Sequence, residues 1–179
     1  MAFQSADHSS QSNTATKTVV LTSIEATQFL GGLIAPNLAT GDIICLRGDL
    51  GLGKTELARA IIRARAGASI EVPSPTFSLM QHYKMAGLEI VHLDLYRLSE
   101  LDELVELGVE EFFERSALIV EWPELAEDYL PWIGLDVELA GQEHSRTADH
   151  RIATLTAFGN KWLTLLESFD VPRSIKPLM

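Results

Sequence analysis

The feature that most constrains the fold of this chain is a glycine-rich segment at residues 48–55, with the sequence GDLGLGKT. It fits the pattern G-x-x-x-x-G-K-[ST], in which glycines allow backbone conformations that turn successive N–H groups toward phosphate oxygens. Lys54 would then reach the β- and γ-phosphates of a nucleotide, and the Thr55 hydroxyl would hold Mg²⁺. The segment therefore predicts a phosphate-binding loop.

The segments on either side of this loop occur in the order that the motif requires. Residues 42–47 form a short apolar run typical of a buried strand, and residues 54–64 carry apolar side chains at helical spacing. The phosphates would then lie against the N–H groups and partial positive charge of the helix N-terminus. This order of strand, loop and helix favours a nucleotide site over an ordinary glycine turn.

The rest of the chain alternates between strand and helix patterns. We predict that Thr22 and Glu25 form a capping box at the first helix, and that Ser99 and Asp102 start an acidic helix which Gly108 interrupts. Two prolines make residues 71–76 an extended segment, and a turn at residues 85–87 joins two antiparallel strands. The predicted strands are 18–21, 42–47, 77–84, 88–95, 117–121, 133–140 and 151–157, and the last helix is 160–169.

A chain of 179 residues fits one domain. We assign residues 18–170 to that domain, residues 1–17 to a polar, mobile tail and residues 171–179 to a C-terminal tail. No apolar run approaches the length that a bilayer requires, and residues 1–17 lack the features of a signal or transit peptide. Together with a single cysteine, Cys45, this predicts a cytoplasmic protein.

The net charge of −11 bears on the type of partner that the chain can bind directly. Affinity for nucleic acid depends largely on basic side chains that neutralise phosphates, and here acidic residues outnumber basic ones by 25 to 14. Any role on nucleic acid is therefore expected to run through a partner protein.

Several polar residues follow apolar strands, where an α/β protein builds its ligand crevice. Glu121 ends an apolar strand and is the candidate that supports Mg²⁺. Asp94 is a second candidate, although a salt bridge at the end of the hairpin would explain it equally well. Thr76, between prolines and a phenylalanine, offers a hydroxyl that could sense the γ-phosphate.

Two aromatic residues have both structural and functional interpretations. Trp122 follows Glu121 directly and could cover the site or stack on a base, but it could also be a core residue. His92 shares a face with Asp94 and could contact the site, but we expect it to be a structural cross-strand partner of His82. The five histidines show no metal-ligand spacing, which makes a zinc site improbable.

Taken together, these segments resemble the bacterial TsaE family. The resemblance covers about residues 18–157 and is carried by motifs that occur in the same order and spacing. These motifs are GDLGLGKT at 48–55, SPTF at 74–77, HLDLYR at 92–97 and VEWP at 120–123.

The resemblance implies an α/β, P-loop NTPase-like three-layer fold, with a central parallel sheet extended by antiparallel strands. It implies an ATPase that is required for threonylcarbamoyladenosine synthesis in transfer RNA, with Mg²⁺ as cofactor and slow hydrolysis that depends on the TsaD and TsaB partner proteins. Transfer RNA would be reached only through those partners, and no membrane is involved.

The same resemblance implies roles for individual residues. Thr55 and Glu121 would hold Mg²⁺, and the residues expected to matter for hydrolysis or its coupling are Lys54, Thr76, Asp94, Glu121 and Trp122. The residues expected to bind the nucleotide are Gly48, Gly51, Leu52, Gly53, Lys54, Thr55 and Glu56 at the phosphates, and Ile24 and Glu25 near the adenine.

The sequence departs from the family pattern in a few places. Leu52 replaces a small residue between the last glycines of the loop, so we expect it to crowd the phosphates slightly. The basic residue expected near the last strands is Arg146 or Arg151, and we take Arg146 as the candidate.

Three other functions compete with this interpretation. A small-molecule kinase would need an acceptor pocket and a basic lid, whereas the segment between the loop helix and Glu121 offers mainly acidic residues. A GTPase would need an N-K-x-D motif, which residues 160–163 lack. A nucleotide-dependent binding module would hold ATP without hydrolysing it.

Overall fold

The computed structural model describes residues 14–67, 70–141 and 150–169, and the backbone of residues 174 and 175. Within these residues the strands form a single sheet of eight strands. The strands are β1 (Thr14–Leu21), β2 (Ile43–Arg47), β3 (Met80–Met85), β4 (Leu88–Asp94), β5 (Ala117–Glu121), β6 (Leu135–Gly141), β7 (Arg151–Phe158) and β8 (Ser174–Ile175). The α-helices are α1 (Ile24–Ile34), α2 (Lys54–Ala66), α3 (Leu101–Glu106) and α4 (Asn160–Ser168).

The sheet has parallel strands at its centre and antiparallel strands toward its edges. Its order is β3-β4-β5-β2-β6-β7-β1-β8. The central strands β4, β5, β2 and β6 are all parallel to their neighbours in that group. Strand β3 pairs antiparallel with β4, and β7 pairs antiparallel with both β6 and β1. The predicted sheet type is therefore confirmed.

The sheet separates two apolar cores, one on each face. Helices α1, α2 and α4 contribute to the first core through side chains such as Leu30, Leu57 and Trp162. Helix α3 and the short 3₁₀ turns at residues 109–112 and 123–126 contribute to the second core. Strand β2 alternates between them, because successive side chains of a strand point to opposite faces. The fold thus has the predicted three layers.

Helices α1 and α2 approach each other closely at Gly31. A Cβ atom added there would lie 2.5 Å from the Ala60 Cβ and 2.9 Å from backbone atoms of α2. Gly32, the next residue of α1, has no atom within 4 Å of the same added Cβ. The first glycine is required by packing, whereas the second is not.

Both predicted helix caps are wrong by one residue. Helix α1 is capped by Ser23 rather than Thr22, because the Ser23 hydroxyl accepts a hydrogen bond from the Ala26 N–H. At α3 the capping box is formed by Glu100 and Glu103 rather than by Ser99 and Asp102. The Glu103 carboxylate accepts the N–H groups of residues 99 and 100, which a shorter aspartate at 102 does not do.

Several boundaries also differ from the prediction. Strand β1 begins at Thr14, so residues 14–17 of the predicted tail belong to the sheet, and residues 1–13 lie outside the described residues. Within the predicted C-terminal tail, β8 pairs with the end of β1. Strand β3 begins only at Met80, because Leu79 has a φ of 63° and donates a hydrogen bond to the Pro75 carbonyl. Within the described ranges, no helix has the length and hydropathy that crossing a membrane requires.

The two adjacent glycines of α1 provide a test of the packing. Gly31→Ala should lower the free energy of unfolding by about 1–3 kcal/mol, because the new methyl group has no space against α2. Gly32→Ala should instead raise it by about 0.5–1 kcal/mol, because alanine favours a helix and meets no neighbour. Urea denaturation of both variants measures these changes. Equal effects in the two variants would contradict the described contact between α1 and α2.

Candidate active site

The phosphate-binding loop joins β2 to α2 and depends on glycines for its shape. The φ values of Gly48, Gly51 and Gly53 are 117°, 80° and 98°, which residues other than glycine rarely adopt. A Cβ atom on Gly48 would also lie 2.0 Å from the Leu139 carbonyl oxygen of β6. The loop therefore has the backbone conformation that the sequence motif predicts, and it packs directly against the neighbouring strand.

Lys54 is held inside this loop. Its Nζ atom donates to the carbonyl oxygens of Gly48 at 2.5 Å and Asp49 at 2.9 Å, and lies 3.7 Å from the centre of the Trp122 ring. Burial lowers the pKa of this ammonium, and the nearby Glu121 and Asp94 carboxylates oppose that effect. Lys54 therefore brings a cation to the position where the motif requires one.

Thr55 and Glu121 are in direct contact, as expected of residues that share a metal ion. The Thr55 hydroxyl donates to Glu121 Oε2 at 2.8 Å. The other carboxylate oxygen, Oε1, lies 2.8 Å from Nε2 of His92, which is fully buried. Sequence reasoning assigned His92 to a contact with His82 instead, and that assignment is wrong. The strand register pairs His82 with Val91, and the His82 ring contacts Glu89.

Asp94 lies beside Glu121 on the adjacent strand, where the two residues are register partners. Its Oδ2 accepts a hydrogen bond from the Thr76 hydroxyl at 2.6 Å, and its Oδ1 accepts one from the backbone N–H of Tyr96 at 3.1 Å. Asp94 is 3 % exposed and makes no salt bridge among the described side chains. The alternative of a hairpin-end salt bridge is therefore not what the structure contains.

Trp122 follows Glu121 with a left-handed backbone, at a φ of 56°. This unusual conformation turns its ring toward Lys54 and against Tyr96, whose ring centre lies 4.8 Å away. Trp122 is only partly buried and also packs against the second core. Trp122 therefore contacts the core and also borders the cavity.

These side chains border a common cavity with a volume of about 300 Å³. Its lining consists of Leu50, Gly51, Gly53, Lys54, Thr55, Thr76, Asp94, Tyr96, Glu121 and Trp122. No cluster of three or more His, Cys, Asp or Glu side chains suited to a metal ion occurs in the described part of the chain. Mg²⁺, however, is commonly held by only one or two protein oxygens together with phosphates, and the Thr55–Glu121 pair offers such oxygens.

Arg47, the last residue of β2, connects the loop to the segment that follows Trp122. Its guanidinium contacts Asp136 at 2.7 Å, Glu127 at 2.5 Å and Glu124 at 3.5 Å. Burial raises the pKa of the Asp136 carboxyl, and the hydrogen bond from Arg47 offsets part of that effect. This ion network anchors β2 and β6 to the turn beside the cavity.

Other predicted residues are not in the lining of the cavity. Ile24 and Glu25 are exposed at the start of α1, and Glu56 pairs with Arg59 on the first turn of α2. Leu52 packs against the first core and is not in the lining of the cavity. Gly48 supports the loop through its contact with β6.

The basic residue near the last strands has two candidates in the sequence. Arg146 lies outside the described residues. Arg151 begins β7, and its Nε would lie 3.6 Å from a Cβ atom added to Gly53. Arg151 is therefore the candidate that the structure brings next to the loop.

Three residues that contribute to the site were not among the predicted site residues. Leu50 occupies a variable position of the loop motif, and Tyr96 lies two residues after Asp94, so position alone could have suggested both. His92 also had a signal, since it shares a face with Asp94, but its partner Glu121 lies on a strand that is distant in sequence.

The chain is similar in sequence to one family of known proteins. The family model described as "Threonylcarbamoyl adenosine biosynthesis protein TsaE" matches residues 21–150. A protein named tRNA threonylcarbamoyladenosine biosynthesis protein TsaE from Rickettsia felis is 40 % identical over 123 residues, covering 68 % of this chain and 72 % of the relative. The protein of that name from Bacillus subtilis is 35 % identical over 149 residues, covering 82 % of this chain and 89 % of the relative.

The fold also resembles a solved structure. The crystal structure of YdiB from Bacillus subtilis matches with a TM-score of 0.70 and 28 % identity. The match covers 87 % of this chain and 94 % of that one. The similarity therefore extends over the sheet and the helices that position the cavity.

The ion network around Arg47 can be tested by stability measurements. Arg47→Met should lower the free energy of unfolding by about 2 kcal/mol at neutral pH, because it leaves the partly buried Asp136 carboxylate without its cation. Arg115→Met is the matched control, since Arg115 pairs with Glu111 at the surface and should contribute less than about 1 kcal/mol. Urea denaturation measures both changes.

The effect of Arg47→Met should also depend on pH. Without Arg47 the folded-state pKa of Asp136 rises further above its unfolded value of about 3.9. The loss of stability, taken relative to the unmutated chain, should therefore be small near pH 4 and grow as the pH rises through the folded-state pKa. A loss that stayed constant over this range would contradict the assigned pairing.

Proposed function

Because the chain belongs to the TsaE family of threonylcarbamoyl adenosine biosynthesis proteins, we propose that it is the ATP-hydrolysing subunit for threonylcarbamoyladenosine modification of transfer RNA. The single observation that carries this proposal is the cavity in which Lys54 and Thr55 of the loop meet Glu121 and Asp94. A phosphate-binding loop next to two carboxylates is the arrangement that nucleotide hydrolysis requires.

The nucleotide is ATP rather than GTP in this proposal. The only segment that begins like a guanine motif is residues 160–163, at the start of α4. There Lys161 bonds to Asp42 and the Trp162 side chain is fully buried, so neither is available to a base. Near the start of α1, Ile24 and Glu25 remain the candidates for contact with the adenine.

Thr55 and Glu121 would hold Mg²⁺ through their oxygen atoms. Bound there, the ion would help to neutralise the charge of the β- and γ-phosphates. The backbone N–H groups of the loop and the N-terminus of α2 would bind the phosphates. Lys54, already within the loop, would stabilise the charge that builds on the transferred phosphoryl group.

Asp94 is the better candidate to orient the attacking water. Glu121 is bonded to Thr55 and therefore belongs to the metal side of the site. Asp94 instead faces the cavity from β4 and is bonded to Thr76, in the segment that could sense the γ-phosphate. A carboxylate in this position can accept a hydrogen bond from water and align it for in-line attack.

The partners in this proposal are the TsaD and TsaB proteins, with the chain acting in the cytoplasm and reaching transfer RNA only through them. Supporting observations come from two residues of the cavity and from Phe77, which follows Thr76, because their large apolar side chains are left in solvent. Leu50 is 73 % exposed, Phe77 is 88 % exposed and Tyr96 is 51 % exposed. Exposed apolar side chains around an active site are typical of a surface that a partner protein covers.

The central test is partner-dependent hydrolysis by a Lys54 variant. Lys54→Ala should reduce ATP hydrolysis in the presence of TsaD and TsaB by about 100-fold or more, because the charge on the phosphoryl group loses its cation. Lys84→Ala, on the exposed edge of β3, should leave the rate unchanged. Steady-state phosphate release, with GTP as the control substrate, gives the rates.

The results separate the components of the proposal. Retained turnover by Lys54→Ala would exclude this loop as the site of hydrolysis. If the unmutated chain hydrolysed ATP but TsaD and TsaB did not alter the rate, the proposed partnership would be wrong. If it bound ATP and returned it unchanged with and without partners, the chain would be a binding module rather than an ATPase.

A second test concerns the carboxylate that orients water. Asp94→Asn retains the shape of the side chain but weakens its ability to accept a proton or align water, so kcat should fall by about 100-fold or more. The affinity for ADP should change by less than about 3-fold, because Asp94 makes no contact that binding the phosphates requires. Asp128→Asn, at an exposed position, is the control. If kcat were unchanged while ADP affinity dropped, Asp94 would be a binding residue.

A further inference from the structure

A fully buried histidine lies behind the carboxylate that would hold the metal ion. His92 is in β4, two residues before Asp94 and on the same face of the sheet, with 0 % of its surface exposed. Its Nε2 lies 2.8 Å from Glu121 Oε1. Burying a polar side chain to this degree costs free energy, and hydrogen bonds inside the protein must offset the loss of its hydration.

Both carboxylate oxygens of Glu121 have a hydrogen-bond partner. His92 contacts Oε1 and the Thr55 hydroxyl contacts Oε2, each at 2.8 Å. These contacts come from two different elements, β4 and the first turn of α2. Together they restrict rotation of the carboxylate and orient Oε2 toward Thr55.

The surroundings of the His92 ring indicate which nitrogen carries the proton. Among the described residues, Nδ1 is buried and has no hydrogen-bond partner. Nε2, in contrast, faces a carboxylate oxygen, which is an acceptor. A proton on Nε2 therefore gives a hydrogen bond to Glu121, whereas a proton on Nδ1 alone would leave a buried donor unpaired and place two acceptors together.

We propose that His92 is a positioning residue, whose Nε2–H holds Glu121 so that Oε2 remains aligned with Thr55 for the metal ion. This inference rests on the proposed function, because it concerns the same Mg²⁺ and nucleotide site. His92 touches neither phosphate nor metal in this role, and it acts only through Glu121. Removing a residue that is hydrogen-bonded to a metal ligand typically lowers metal affinity or activity by about 10–100-fold.

The test uses two substitutions that differ in hydrogen bonding. His92→Gln retains an N–H donor with similar reach, and His92→Leu removes the donor while keeping a side chain of similar bulk. His82→Leu on the neighbouring strand is the control, because His82 is exposed and contacts Glu89 rather than the site. Thermal unfolding is followed for each variant to establish that it folds.

The first measurement is calorimetric binding of ADP with Mg²⁺ and with a chelator in its place. His92→Leu should weaken ADP binding in Mg²⁺ by about 10-fold or more. Binding without Mg²⁺ should change by less than about 2-fold, because the loop itself is intact. His92→Gln should recover most of the loss, and His82→Leu should match the unmutated chain. If His92→Leu folded and bound ADP in Mg²⁺ as the unmutated chain does, the inference would be overturned.

The second measurement needs neither nucleotide nor metal. Proton–nitrogen correlation spectra of the histidine rings, assigned by comparison with His92→Gln, should show the His92 proton on Nε2. A proton found only on Nδ1 would overturn the inference even if the leucine variant did not fold. If the unmutated chain bound no nucleotide, the proposed function would fail and the inference with it. If the unmutated chain bound ADP with Mg²⁺ and the folded His92→Leu variant bound it equally well, only the inference about His92 would be refuted.

Discussion

The arrangement of the site depends on the register of three parallel strands. Asp94 of β4 is paired with Glu121 of β5, and Glu121 is paired with Leu46 of β2, two residues before the loop. Because parallel strands have their carboxyl ends at the same edge, this register brings two acidic side chains to the start of α2. A shift of one residue in either strand would turn a carboxylate to the opposite face, since successive side chains alternate. The backbone pairing of these strands therefore determines which side chains face the start of α2.

Charges in this part of the molecule are arranged so that each cation faces carboxylates from different elements. Lys54 lies between the loop carbonyls and the Trp122 ring, with Glu121 and Asp94 nearby. Arg47 binds Asp136 of β6 and the two glutamates of the turn after Trp122. Since partly buried charges are stable only when they are paired, these contacts also determine where the backbone around Trp122 can lie.

Sequence reasoning succeeded where the signal is local and failed where it crosses between elements. The loop glycines, the strand before them and the helix after them are contiguous, so the pattern of residues 42–64 was sufficient to predict their structure. The contact of Glu121 with His92 joins residues far apart in sequence, and only the strand register reveals it. The predicted helix caps were wrong because neighbouring serine, threonine and glutamate side chains can accept the same N–H groups. Backbone geometry decides which of them does so.

The position of Lys54 has a consequence for the energetics of nucleotide binding. Because its ammonium bonds to the carbonyls of Gly48 and Asp49, the loop is already held in shape by its own side chain. A ligand would exchange these bonds for phosphate contacts and would not need to order a disordered segment. Binding should therefore carry little conformational entropy loss and a small heat-capacity change, in contrast to sites that fold around their ligand. The loop is preorganised by the residue that would contact the phosphates.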